Sequence, residues 1–368
     1  MEFSTDYRHI LEQINKIDPV KYGKTRNYIG GAVTQLSPYV SRGVISTKQI
    51  ADALFSKGYK PYQMDSFLKE LAWRDYFQQV WIARGDEIDS DLKQKQPYFD
   101  NSLISSSILN ATTGIEAIDT GVSTLQNTGY MHNHTRMYVS SIACNIAKSH
   151  WKLPAQWMYY YLLDADWASN ALSWQWVAGS FSNKKYIANQ ENINKYSNSN
   201  QKSTFLDMPY EHIPMMRIPE SLIDKISLKL TTNLPNPTAV VMKPDLPIYI
   251  YNFYNLDPKW DEDIKANRIL LLEPHFYKKY PVSDRTLDFV LALSKNISNV
   301  QVFIGSFEEL KFMAKNSEIH YKEHPTNIHY KGIVHHRDWM FPSITGYYNS
   351  FFSFWKKCEK SLPLCFNF

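Results

Sequence analysis

LLDADWASNALSWQWVAG (162–179) is the stretch whose reading decides the fold. Two acidic side chains, Asp164 and Asp166, stand two residues apart ahead of an apolar run. On a continuous helix that spacing places them on different faces, but at a helix start both can meet one ligand. Simple helix capping accounts equally well for one of them. Asn170 follows four residues after Asp166, on the same helical face, and its amide can donate or accept a hydrogen bond. Trp174 and Trp176 lie further along the same pattern, and for Trp176, as for Trp73 upstream, a core position is the ordinary reading of a lone helical tryptophan.

Working outward, four more segments carry chemistry in a fixed order: QLSPYVSRGVIS (35–46), ELAWRDYF (70–77), TGIEAID (113–119) and TGYMHNHTRM (128–137), with HW at 150–151. Ser37, Thr34 and the backbone amides of the turn that leads into VISTKQI offer hydroxyl and N–H donors suited to a pyrophosphate. Arg74 and Arg136 add charge-assisted donors for a phosphate or a flat polar ring. Taken alone, an N-cap and two surface ion pairs explain the same residues about as well.

Apolar residues recur at three and four through residues 1–180, as in SFLKELAWRDYFQQVWIARG (66–85), and predict helices. SFSNKKYIANQENINKYSNSNQKS (180–203) is rich in Asn, Ser and Lys and reads as a long ordered loop or linker. Beyond Pro209 the texture changes to LPIYIYNF, RILLLEP, VQVFIG and GIVHHRDW, separated by helical stretches such as SDRTLDFVLALSKNI. That alternation predicts a mainly parallel α/β sheet. The expected fold is a mostly α-helical domain over residues 1–205 followed by a smaller α/β Rossmann-like domain over residues 206–368.

Composition bounds the function. With 44% hydrophobic and 21% charged residues in 368, the chain is globular throughout. A net charge of +4 is too small to argue for nucleic acid without a local patch. Aromatic residues make up 15%, including 25 Tyr and 10 Trp, enough for stacking surfaces as well as cores. Three cysteines, Cys144, Cys358 and Cys365, exclude a four-Cys iron–sulfur cluster and fit a reducing, cytoplasmic compartment. No apolar stretch is long enough to span a membrane, and the N-terminus lacks a signal-peptide pattern. His132, His134 and the His335–His336 pair match no zinc spacing, so no metal is expected.

The five segments, taken together, resemble the flavin-binding core of the photolyase and cryptochrome family over roughly residues 20–200. The resemblance implies FAD, held or tuned by Tyr22, Thr34, Ser37, Arg74, Asn133, Arg136, Asp164, Asp166 and Asn170. It sets Asp164 and Asp166 against the adenine-linked ribose and the isoalloxazine edge, and Asn170 opposite flavin N5. It assigns Glu70, Trp73, Met137 and Trp176, with Asn170, to a pocket for an extrahelical pyrimidine dimer. Flipping such a lesion costs a few kcal/mol, and each base stacked on an aromatic ring returns about 1–3 kcal/mol. Trp174 and Trp151 match two members of an electron-transfer chain whose outer tryptophan is missing, so either Tyr98 substitutes or the path runs through Trp157, Trp81 or Trp167.

Three departures stand out. The α/β texture follows the flavin segments, where the family places it before them. The loop after WQWVAG has lost the family's DNA-facing segment, and His134 stands where repairing members commonly have arginine. Lys184, Lys185 and Lys195 either replace that charge or are solvated loop lysines. The resemblance implies light-driven repair of pyrimidine-dimer-containing DNA, or alternatively a cryptochrome-like blue-light sensor without repair. It leaves an antenna chromophore open, and nothing points to a protein partner.

Overall fold

The computed structural model describes residues 2–366. Its helices start and stop where side-chain chemistry allows. The helix Trp167–Ala178 opens on Asp166, whose carboxylate accepts from the Ser169 backbone N–H, and closes on Gly179 in the left-handed region (φ 85°). The helix Glu116–Thr128 closes in the same way on Gly129 (φ 74°). The helix Asn133–Ser141 runs into a π turn at Ile142–Ile146, every residue of which is buried.

Residues 180–203 are not one loop. Asn189 caps a helix at Gln190–Ser197, which ends on Asn198 in the left-handed region. Asn and Ser, which dominate the stretch, are weak helix formers, so propensity gave little warning of it. Burial of Ile193 and Gln190 stabilises it instead.

The chain gathers into two compact units, and these interleave. One comprises residues 20–33 and 84–230. It is helical, with a short antiparallel ribbon that pairs β1 (Ile104–Ser105) with β2 (Lys225–Ile226). The other comprises residues 2–19, 34–83 and the chain from Thr231 on. The expected cut after residue 205 falls inside the first unit, which runs on to Leu230.

The second unit is built on a five-stranded, all-parallel sheet: β3 (Ile248–Tyr251), β4 (Asn267–Leu272), β5 (Gln301–Ile304), β6 (Ile319–Lys322) and β7 (Ile333–His335). The order across the sheet is β5-β4-β3-β6-β7. The chain builds outward from β3 in one direction and then returns to its other side, which is the doubly wound arrangement. β3 and β4 are buried along their whole length, because a central parallel strand is covered on both faces. Ile248, Ile250, Ile269 and Leu271 pack there with Phe307 and Leu310 of the helix Phe307–Ala314.

Named contacts explain why residues 34–83 pack with this sheet. The Arg42 guanidinium, fully buried, lies 3.6 Å over the Phe253 ring, and the Leu256 N–H donates to the Arg42 carbonyl at 2.8 Å. The helix Asp65–Arg84 turns a polar row towards the C-terminal segment. Asp75 accepts from the Met340 N–H, Gln78 accepts from Arg337, and Gln79 accepts from the Gly346 N–H. Such buried polar groups require partners, and the sheet-bearing segment supplies them.

Candidate flavin site

In the helical unit, the start of the Trp167–Ala178 helix converges with the Asn133–Ser141 helix. Arg136 bonds Asp164 at 2.9 Å, and its Nε donates to the Met131 carbonyl at 2.8 Å, so the guanidinium is held from two sides. Asp164 is buried, and the cation beside it matches its charge. Asp166 takes the capping role, accepting from the Ser169 N–H and hydroxyl at 3.2 and 3.1 Å. Asn170 is buried one turn on, and its amide nitrogen donates to the Ala155 carbonyl at 2.8 Å.

Beside this pair sit two histidines. His132 caps the Asn133–Ser141 helix by accepting from the His134 N–H, and His134 packs its ring against Tyr138 and Tyr196. Burial pushes both imidazoles down to about 4, helped at His132 by His134 and Arg136 and at His134 by Arg26. Both are therefore neutral at physiological pH. Their Nε2 atoms are buried and have no hydrogen-bond partner in the protein, and the same holds for Nε1 of Trp174. An unsatisfied buried polar atom costs about 1–3 kcal/mol, so these atoms are prepared for a polar ligand. The carbonyl and nitrogen edges of a flavin dinucleotide supply that chemistry, and the donor set fits it. The sequence gave no sign that the His134 nitrogen would be buried and unpaired.

Several of the remaining expected residues of this unit are less enclosed. Asn133 is exposed at the first turn of its helix, while Tyr22 and Met137 are half-buried. Trp176 is exposed and lies beside Tyr186. Trp151 is fully buried and donates through Nε1 to Asp91 at 2.7 Å, with the Trp167 ring 6.5 Å away and Tyr159 beyond it at 5.5 Å. Tyr98 is 82% exposed, with the Lys185 ammonium 5.3 Å over its ring. Trp151 thus has an aromatic neighbour in Trp167, one of the alternatives named from sequence.

Thr34, Ser37, Arg74, Glu70 and Trp73 fall in the sheet-bearing unit. There Arg74 donates to the Ser37 carbonyl at 3.3 Å and to the Ser41 hydroxyl, while Thr34 accepts from the Leu36 N–H at 3.4 Å. The arginine thereby braces the serine-rich turn. Glu70 is half-buried on the helix that carries Trp73. One face of Trp73 is taken: the Phe351 ring stacks on it at 3.9 Å and 10°. Phe351 begins the helix Phe351–Cys365, in a stretch where no motif drew attention to it.

With this geometry in place, the fold and site define a helical flavin-binding domain joined to a parallel α/β sheet. Residues 67–220 match the family model described as the FAD binding domain of DNA photolyase. A deoxyribodipyrimidine photo-lyase from Alkalihalophilus pseudofirmus is 30% identical over 148 residues, covering 39% of this chain and 31% of that protein. Cryptochrome DASH from Danio rerio is 30% identical over 171 residues, covering 43% and 32%. A solved cryptochrome from Synechocystis aligns with a TM-score of 0.47 at 23% identity, covering 53% of this chain and 44% of that one. Residues 67–220 are thus similar to the FAD-binding domain of the photolyase and cryptochrome family. It spans about a third of the length of the curated relatives it matches. Among the described residues no helix is long and apolar enough to cross a membrane.

Proposed function

We propose that the protein is a light-driven DNA repair flavoprotein that splits cyclobutane pyrimidine dimers. The observation that carries this reading is the buried cluster of Arg136, Asp164, His132 and His134, with neutral, unpartnered imidazole nitrogens inside a domain of the FAD-binding type. FAD, when bound and reduced, supplies a light-excited electron that opens the dimer and returns. The chain's own residues have the positioning work. Arg136 and Asp164 hold polar ligand edges, Asn170 presents an amide, and His132 and His134 hydrogen-bond without adding charge. Glu70 and Trp73 of the sheet-bearing unit receive the extrahelical dimer by an edge bond and by stacking. Pyrimidine-dimer-containing DNA is then the partner, with lysines such as Lys184 and Lys195 available to phosphates.

A sensor reading has one specific observation in its favour. One face of Trp73, the ring assigned to lesion stacking, is covered by Phe351. The deciding experiment is an anaerobic assay in which chemically reduced, FAD-loaded protein is illuminated with a thymine-dimer oligonucleotide. Light-dependent loss of dimers, abolished in Glu70→Ala and Trp73→Ala, is the expected result. Full flavin occupancy with no repair sinks the repair reading and leaves the sensor.

A further inference from the structure

Away from the flavin residues, at the carboxyl end of β4, Glu273 follows the strand into the short helix Pro274–Lys279. Its side chain is only 5% exposed. One carboxylate oxygen, Oε2, accepts from the Tyr330 hydroxyl at 2.8 Å. The other, Oε1, accepts from the Phe307 N–H at 2.9 Å. Two imidazoles face Oε1 from the solvent side: His329 Nε2 at 3.1 Å and His275 Nδ1 at 3.9 Å. The two rings lie 5.2 Å apart, centre to centre, and are 38% and 59% exposed.

One carboxylate oxygen and two imidazole nitrogens, all within 4.8 Å of one another, form the three-ligand set of an open zinc site. Metal–ligand bonds of about 2.0–2.1 Å in a tetrahedron place ligand atoms roughly 3.3 Å apart; the Glu273–His329 pair is at 3.1 Å and the Glu273–His275 pair at 3.9 Å, so binding needs only the exposed His275 ring to move inward. The carboxylate is also oriented from behind, by Tyr330 and the Phe307 amide, as ligating carboxylates characteristically are. The exposed histidines leave the approach open to solvent. A bound ion would tie the end of β4 to the segment after β6, which carries His329.

We propose that Glu273, His275 and His329 bind Zn²⁺ or a similar borderline divalent ion in the sheet-bearing unit. The sequence-level expectation of no metal considered other histidines. Glu273, His275 and His329 are separated by 1 and 53 residues, a spacing that matches no short motif.

The test is calorimetric titration of chelator-treated, full-length protein with zinc chloride, alongside melting curves with and without the ion. The expected result is one equivalent bound and a higher melting temperature, since an ion that binds only the folded state stabilises it by mass action. His275→Ala and His329→Ala, both changes at exposed rings, should each weaken binding at least about tenfold, whereas His336→Ala leaves it unchanged. Absence of a one-equivalent transition, or equal affinity in His275→Ala, overturns the assignment. The melting curve of each variant without zinc shows whether the variant is folded, so a folding failure is not read as lost binding.

Discussion

Asp75 is buried in the middle of a helix and shows how one residue can set a pH dependence. Burial drives its carboxyl up to about 6, against the opposing pull of the Met340 N–H, the Thr47 hydroxyl and the charges of Arg337 and Arg74. In the unfolded chain the group titrates near its ordinary value, about 3.9. Between these two values the folded protein keeps a proton that the unfolded chain has released. Stability from this group is therefore full below about pH 4 and falls as pH rises towards 6, by on the order of 3 kcal/mol. Asp75→Asn should flatten that slope. Melting curves at pH 5 and pH 7 check it: the wild type should lose more stability than the variant on going to pH 7, and equal losses would show that the buried carboxyl is ionised throughout. Other residues divide sharply in legibility. Arg136 and Asp164 were both visible as polar residues in aromatic surroundings, but 28 positions of chain hid the fact that they pair. Phe351 was invisible, because FFSFW reads as core and only the three-dimensional stack on Trp73 gives it significance.

At the scale of elements, the sheet was legible and the helix Gln190–Ser197 was not, for one physical reason. Central parallel strands are buried on both faces and write themselves into the sequence as apolar runs such as RILLLEP. A short helix of Asn, Lys and Ser depends on its cap and a single buried isoleucine, which leave little pattern. Helix ends are more informative, and Gly129 is the sharpest case. Its φ of 74° suits glycine, and a Cβ there would lie 2.6 Å from the Leu163 side chain. Gly129→Ala should cost roughly 1–3 kcal/mol through backbone strain and this clash. Gly58→Ala, at φ 85° with open space around it, carries only the backbone part. Urea unfolding of both variants checks the difference, and equal losses would mean that Leu163 yields without penalty.

At the scale of the whole molecule, the interleaved units make a prediction that a linear reading of the chain would reverse. Composition and texture change near residue 205, which suggests that residues 1–205 could stand alone. The sheet-bearing unit nevertheless includes residues 34–83, whose rings are covered from the far end of the chain: buried Tyr39 by Phe289, buried Phe55 by Phe366 and half-buried Trp73 by Phe351. Uncovering a large apolar side chain costs about 1.5–3 kcal/mol. Three of them approach the whole net stability of an ordinary domain, roughly 5–15 kcal/mol. Asp75, Gln78 and Gln79 also lose Met340, Arg337 and Gly346 as partners, although water replaces those bonds once the surface opens. A fragment of residues 1–205 should therefore melt without cooperativity, and limited proteolysis should cut it first between residues 34 and 83, while the full chain resists there. Cooperative melting of the fragment with an intact near-UV spectrum would show that the helical segment 34–83 is held by its own neighbours, and that the α/β half rests on it without supporting it.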